Sequence, residues 1–343
     1  MAGGARVPPR PTREGGAGLR RWVSKGPGIT VAQPLITKLA SVLAGFWYRL
    51  DARHRRITLR NLEFAYGPGL APESRELLAR EVFRQFVLFG FEVLELLLAP
   101  LARIRRKVII VGQEHVEAAL AQGRGMIIVA AHAGNWEYTI IGYGLKYGPV
   151  AVVGRELDHP WARGLARYLR QRGGNRMVAK QRGLKEILRL LKQNQVVGIV
   201  IDQNTAAKEG LLVDFFGHPA RTTPVAALLA RARGVPVLPG LSRRLPGGRH
   251  LMVFFPAIPM VKTGEAQADL IRHLELQNRA IEAWIRAEPA QWLWLHRRWK
   301  NQFPEIYEKG YQLSAETLLA ETEKSAQTGC ASKKKARKTR PAC

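Results

Sequence analysis

Between residues 73 and 98, apolar side chains fall at Leu77, Leu78, Val82, Phe83, Phe86, Val87, Phe91 and Leu94, with Arg75, Glu76, Arg80, Glu81 and Arg84 between them. That three-to-four-residue spacing predicts a long amphipathic helix. Downstream the pattern changes. Short unbroken apolar runs at 125–131, 150–154, 196–201, 235–241 and 251–255 read as strands. Helical patterns fall near 135–147, 159–172, 182–193, 223–233 and 266–287. Alternation over this length predicts an α/β fold, a central sheet flanked by helices and preceded by a helical N-terminal part.

Residues 31–48 are apolar but interrupted by Gln33, Pro34 and Lys38, which makes them a borderline case between a transmembrane and an interfacial helix. The segment ends in Trp47 and Tyr48, followed by Arg49, Arg53, Arg55 and Arg56. This order suits a helix lying in a membrane interface, and an ordinary core helix is the equal alternative. Residues 1–28 are rich in Gly, Pro and Arg and lack the apolar run of a secretory signal, and after Glu321 the chain turns polar. The expected organisation is a basic disordered start (1–28), one domain over 29–320 whose first part (29–60) associates with the membrane, and a disordered basic tail (321–343).

With 343 residues, 46% of them apolar, the chain has enough material for a sizeable core, which excludes disorder throughout. Charge narrows the partners. Of the net +27, +5 lies in residues 1–28 and +6 in 329–343, leaving +16 on the body. A field of that sign favours anionic lipid surfaces, nucleic acid or an acidic carrier protein. The nucleic-acid reading finds no helix-turn-helix spacing, zinc ligands or RNA-binding aromatic signature to support it. Both cysteines, Cys330 and Cys343, lie in the tail, so the core holds neither a disulfide nor a cysteine-based metal site.

The most informative stretch is Gly125-Met-Ile-Ile-Val-Ala-Ala-His132-Ala-Gly-Asn-Trp-Glu137, a buried strand that runs into a polar turn and then a helix. Functional groups in an α/β sheet gather at the carboxyl ends of strands. His132 leaves such an end, Asn135 is placed to cap the helix, and Glu137 falls in its first turn. A bend at Ala133-Gly134 would let the Glu137 carboxylate reach one imidazole nitrogen while the other faces substrate. Backbone amides near Gly134 and Asn135 are candidates for stabilising an oxyanion. Asp202 and Gln203 end another apolar strand and so are expected at the cleft mouth, orienting a substrate hydroxyl or bracing a cation. The run Trp292, Trp294, His296, Arg297, Arg298, Trp299 and Lys300 mixes indoles with cations, with Arg298 and Lys300 expected to face outward. A hydrolase would need a Gly-x-Ser-x-Gly elbow or a metal-ligand cluster, and the sequence has neither.

His132-Ala-Gly-Asn-Trp-Glu137 resembles the H-x4-D/E motif of glycerolipid acyltransferases, and in this form that of the lipid A late acyltransferases. Further segments resemble the same family: Arg55-Arg56-Ile-Thr-Leu-Arg-Asn61-Leu-Glu, Asp202-Gln203, Phe215-Phe216-Gly217 followed by Thr222-Thr223, and 289–300. The likeness spans residues 35–302. It implies a glycerolipid-acyltransferase-like mixed sheet and catalysis by His132 and Glu137. The implied donor is an acyl carrier protein or coenzyme A thioester, with no metal or redox cofactor. The implied acceptor is a hydroxyl of a lipid A precursor, or alternatively a phosphatidylinositol mannoside or lysophospholipid, at the cytoplasmic face of the bacterial inner membrane. Arg155 follows a strand and resembles an arginine near the family's cleft, where it would bind a phosphate of donor or acceptor.

Overall fold

The apolar run of β2 (Met126–Ala130) has no polar face to offer water, so it belongs in the middle of a sheet. In the computed structural model, which describes residues 32–154, 159–179 and 183–308, it lies fourth of seven strands. The others are β1 (Val108–Val111), β3 (Val150–Gly154), β4 (Arg176–Ala179), β5 (Val196–Val200), β8 (Val237–Leu245) and β9 (Arg249–Phe254), in the order β1-β9-β8-β2-β5-β3-β4. Every neighbouring pair is parallel except the β8–β9 hairpin, which makes the sheet mixed, as expected. In the register of β2 against β5, Ala130 stands opposite Val200. His132 and Asp202 therefore leave the sheet side by side, each two residues beyond a paired position.

Alternation along β2 sends Ile127 and Val129 into one apolar layer and Met126 and Ile128 into the other. The first layer packs under α8 (Gly183–Lys192), α9 (Val225–Arg233) and α10 (Ala266–Ala287), the second under α5 (Gln113–Leu120) and α6 (Trp136–Tyr147). Helices α4 (Leu101–Lys107) and α7 (Pro160–Arg172) pack with α6 through Ile104, Leu169 and Ile141. The six helices and five strands read from the pattern at 73–98 and beyond fall within a few residues of their expected bounds. Beyond residue 100, four strands and two helices are additional: β1, α4 and α5 are only four to eight residues long, and β4 and the hairpin β6 (Leu211–Phe215) and β7 (His218–Thr222) mix polar residues into their runs.

Phe216 and Gly217 form the two-residue turn of that hairpin, both at positive φ, and Phe215 and Phe216 are buried. They pack into the main apolar layer. Phe216 stacks near Trp292, and Arg286 lies over its ring.

The N-terminal helices are α1 (Ala32–Leu50), α2 (Ala52–Tyr66) and α3 (Pro72–Leu98). Helix α1 packs on α3 through Ala40, Ala44 and Tyr48, with the Tyr48 hydroxyl donating to Glu76 at 2.7 Å and Trp47 against Phe83. Its opposite side exposes Leu35, Leu39, Val42, Leu43, Phe46 and Leu50. The helix is thus half core and half uncovered apolar surface. No helix among the described residues is long and apolar enough to cross a membrane. The basic ends expected to be disordered, 1–28 and 321–343, lie outside the described residues, as do both cysteines.

Trp292, Trp294 and Trp299 are buried in the main apolar layer, and Lys300 is exposed. Arg298 corrects the expectation that it faces outward, since it has no exposed surface. Its guanidinium donates to the carbonyls of Gln203 and Arg221 and to Thr222 Oγ1, which accounts for the Thr222 hydroxyl at that position. Asn61 fixes the same segment from α2, donating from Nδ2 to Trp294 O at 2.6 Å and His296 O at 2.8 Å while its Oδ1 accepts from the Tyr307 hydroxyl. Replacing Asn61 with Ala strands three buried polar groups, at a cost of about 2–4 kcal/mol. Urea unfolding of Asn61→Ala is expected to show that loss with an unchanged slope against denaturant.

Candidate functional site

Because β2 and β5 run parallel and end together, a histidine and an aspartate distant in sequence meet at the carboxyl edge of the sheet. The Asp202 Oδ1 accepts from His132 Nδ1 at 2.8 Å. Its other oxygen accepts from the His132 backbone N–H at 2.8 Å and from the Trp292 indole at 2.7 Å. Burial alone would raise this carboxyl, but the adjacent His132 and these three donors hold it down at about 2. With Nδ1 committed to a carboxylate, the imidazole presents Nε2 as its available nitrogen.

His132 lines a cavity of about 1080 Å³ whose walls are mostly apolar, including Ile128, Ile140, Val152, Ile187, Leu188 and Leu229. The polar residues on the wall are His132, Glu137, Arg170, Gln203, Asn204, Arg233 and His296, with four hydroxyl side chains besides. Such a cavity accepts a long hydrocarbon body and offers it a small number of directing groups. Burial, helped by nearby cations and opposed by Asp202, pushes His296 down to about 4. Its Nε2 accepts from the Asn204 N–H at 2.9 Å, which fixes a neutral ring.

The turn after β2 is held along its whole length. Ala133 bridges to Trp292, the His132 carbonyl accepts from Leu293 N–H, and the Ala133 carbonyl accepts from the Ser242 hydroxyl. Gly134 sits at φ 61°, and a Cβ there would stand 2.9 Å from Arg243 Cα, so both backbone conformation and space demand glycine. Its N–H donates to Gln291 O at 2.9 Å. The expectation that this amide is free for an oxyanion is therefore corrected. The staple to residues 291–293 uses it.

Two further site readings change. The carboxylate on the imidazole belongs to Asp202, whereas both oxygens of Glu137 engage Arg170, at 2.5 Å and 3.1 Å. The bend at Gly134 turns the start of α6 so that Glu137 meets an arginine of α7 on the cavity wall. Asn135 is fully buried, with Oδ1 capping α6 at the Tyr138 N–H and Nδ2 donating to Glu92. That amide is buried and engaged in the fold rather than on the cavity wall. Gln203 lines the cavity as expected, Asp202 braces the histidine rather than a substrate hydroxyl, and Arg155 lies outside the described residues.

Sequence reasoning missed the layer behind the turn. Glu92 of α3 pairs with Arg244 of β8 through both oxygens, at 2.5 and 2.7 Å, and receives Asn135. Although burial would raise Glu92, His250, Arg244 and Asn135 lower it. The charged residue inside the otherwise apolar stretch Phe91-Glu92-Val93-Leu94 was the available signal. Among the described residues no group of three or more His, Cys, Asp or Glu is placed to hold a metal.

A family model described as bacterial lipid A biosynthesis acyltransferase matches residues 25–301. The lipid A biosynthesis lauroyltransferase of Escherichia coli is 27% identical over 281 residues, covering 80% of this chain and 88% of that protein. A phosphatidylinositol mannoside acyltransferase of Mycobacterium tuberculosis is 28% identical over 203 residues, covering 56% and 60%. Among solved structures, the 1-acyl-sn-glycerophosphate acyltransferase of Thermotoga maritima aligns over 77% of this chain and 98% of its own, with 17% identity and a TM-score of 0.35.

Asp202 is held far below its unfolded range, so the stability it contributes is fully present above about pH 4 and is lost as pH falls toward 2. The contribution at neutral pH is about 2 kcal/mol. Urea unfolding of the wild type and Asp202→Asn is expected to show a stability gap that narrows by roughly 1 kcal/mol between pH 6 and pH 3.

Proposed function

The chain belongs to the bacterial lipid A biosynthesis acyltransferase family, and on that premise we propose that it moves a fatty acyl chain from a thioester onto a hydroxyl of a lipid A precursor or related glycolipid. The donor is an acyl carrier protein or coenzyme A thioester, and no metal or redox cofactor takes part. The carrying observation is His132, braced by the buried Asp202, in the wall of a large, mostly apolar cavity. The apolar walls take the acyl chain.

His132 Nε2 removes the proton of the acceptor hydroxyl as its oxygen attacks the thioester carbonyl. The carbonyl π electrons move to oxygen, giving a tetrahedral oxyanion. Its collapse re-forms the carbonyl and breaks the C–S bond, and the imidazolium returns the proton to the departing sulfur. Asp202 keeps the tautomer and favours the cationic ring that forms in between. Arg170, gripped by Glu137, sets a fixed guanidinium on the same wall to bear negative charge from the donor or the oxyanion. Arg155, next in the chain after β3, is assigned to a substrate phosphate. Gln203 orients the acceptor.

The uncovered side of α1 and the basic body rest the protein on the anionic cytoplasmic face of the inner membrane, where an acceptor lipid is found. The phosphatidylinositol mannoside acyltransferase among the relatives supports keeping the acceptor class as wide as glycolipids.

Steady-state assays with an acyl thioester and a lipid acceptor test this chemistry. His132→Ala is expected to lose transfer below a tenth of wild type, and Asp202→Asn to lower kcat by about 100-fold or more with little change in KM. Glu137→Ala leaves Arg170 unpaired on the cavity wall and should cost about tenfold or more, with partial recovery in Glu137→Asp. Activity in His132→Ala above a tenth of wild type would remove the general-base assignment. Flotation with anionic vesicles is expected to carry the protein even after removal of residues 329–343, and failure to float would transfer the anchoring role to that tail.

A further inference from the structure

A second cavity, of about 1040 Å³, lies between α1, α3, α4 and the β8–β9 hairpin, and shares no lining residue with the one at His132. One side is apolar, with Ile36, Leu88, Phe91 and Leu98. Leu98 is 84% exposed, and Leu35 and Leu39 expose apolar surface on α1 beside Ile36. The other side is cationic. Arg244 and Arg84 are each matched to one carboxylate through paired hydrogen bonds, those of Glu92 and Glu81. Arg103, Lys107 and Arg243 are matched less completely. The single carboxylate of Glu95 serves Arg103 at 2.9 Å and Lys107 at 2.6 Å, which leaves one positive charge over. Arg243 has a 3.3 Å contact to the half-exposed Glu288, and its Nε, though buried, makes no hydrogen bond among the described residues. Burial pushes this guanidinium down from its ordinary value, and its plane lies over the Trp284 ring.

We propose that this cavity binds the anionic, phosphate-bearing headgroup of a membrane lipid. An arginine fork and an ammonium supply complementary donors for phosphate oxygens. The apolar side, continuous with the exposed face of α1, takes the upper part of the acyl chains, which a free phosphate lacks. The Arg243 backbone abuts Gly134, so an occupant here and the His132 turn share one wall.

Calorimetric titration of the full chain with dihexanoylphosphatidylglycerol, below its micelle concentration and at high ionic strength to suppress diffuse charge effects, tests the site. The expected result is saturable one-site binding, about tenfold or more tighter than for dihexanoylphosphatidylcholine or for glycerol phosphate. Lys107→Gln and Arg243→Gln should each weaken it by about tenfold. Arg103→Gln, on the exposed side of α4, should weaken it measurably without disturbing the core, and melting curves verify that all three variants fold. Equal binding of the two lipids would overturn the anionic-headgroup assignment. Glycerol phosphate binding as tightly as the lipid would overturn the lipid assignment, and unchanged affinity in all three variants would overturn the location. Acyl transfer is not read here, so failure of this site and failure of the chemistry at His132 are distinguishable.

Discussion

An ionised carboxylate taken out of water costs several kcal/mol unless donors replace its hydration, and Asp202 has almost no exposed surface. Its replacement shell is drawn from two places far apart in sequence. The ring and backbone of His132 come from the end of β2, and the indole of Trp292 comes from the segment after α10. Neither the strand ends nor the tryptophan segment can settle without the other, because each completes the solvation of one charge. The geometry of the imidazole is therefore a by-product of a packing requirement.

The rest of the molecule serves that junction in successive layers. Asn61, Tyr307 and Arg298 hold the tryptophan segment by its carbonyls and by its neighbours. Ser242 and Gln291 hold the turn between His132 and Asn135, and Glu92 with Arg244 hold the cap of α6. The N-terminal helices, peripheral to the sheet, thus reach the site through two buried polar side chains, Asn61 and Glu92. A polar group in such a position narrows the arrangements that satisfy every donor and acceptor.

Much of the fold was legible because it is periodic. The pattern at 266–287 gave α10, that at 73–98 gave α3 to within a residue, and 150–154 gave β3 outright. Short strands were legible where, as in β2, β3 and β5, they form unbroken apolar runs of five, whereas β1 has four such residues, β4 opens on Arg176, and α5 spans only two turns. At the site, His132 was legible from its place after a strand, but its partner was not. Proximity in sequence favoured Glu137, whereas Asp202 arrives through strand order, which one dimension does not record. Arg298 misled for a related reason, since its three acceptors come from Gln203, Arg221 and Thr222 and appear only when the chain is folded.

The pairing of Ala130 with Val200 makes the spacing of His132 and Asp202 a quantised property. Strand positions advance by about 3.3 Å and alternate faces, so the two groups are either in step or on opposite sides of the sheet. Helices that cover the cavity are free of that arithmetic. Residues on α8 and α9 can be exchanged, lengthened or trimmed to reshape the cavity while His132 and Asp202 stay where the ladder puts them. The ladder itself has no such freedom. Insertions within β2 or β5 are the changes it has no means to absorb.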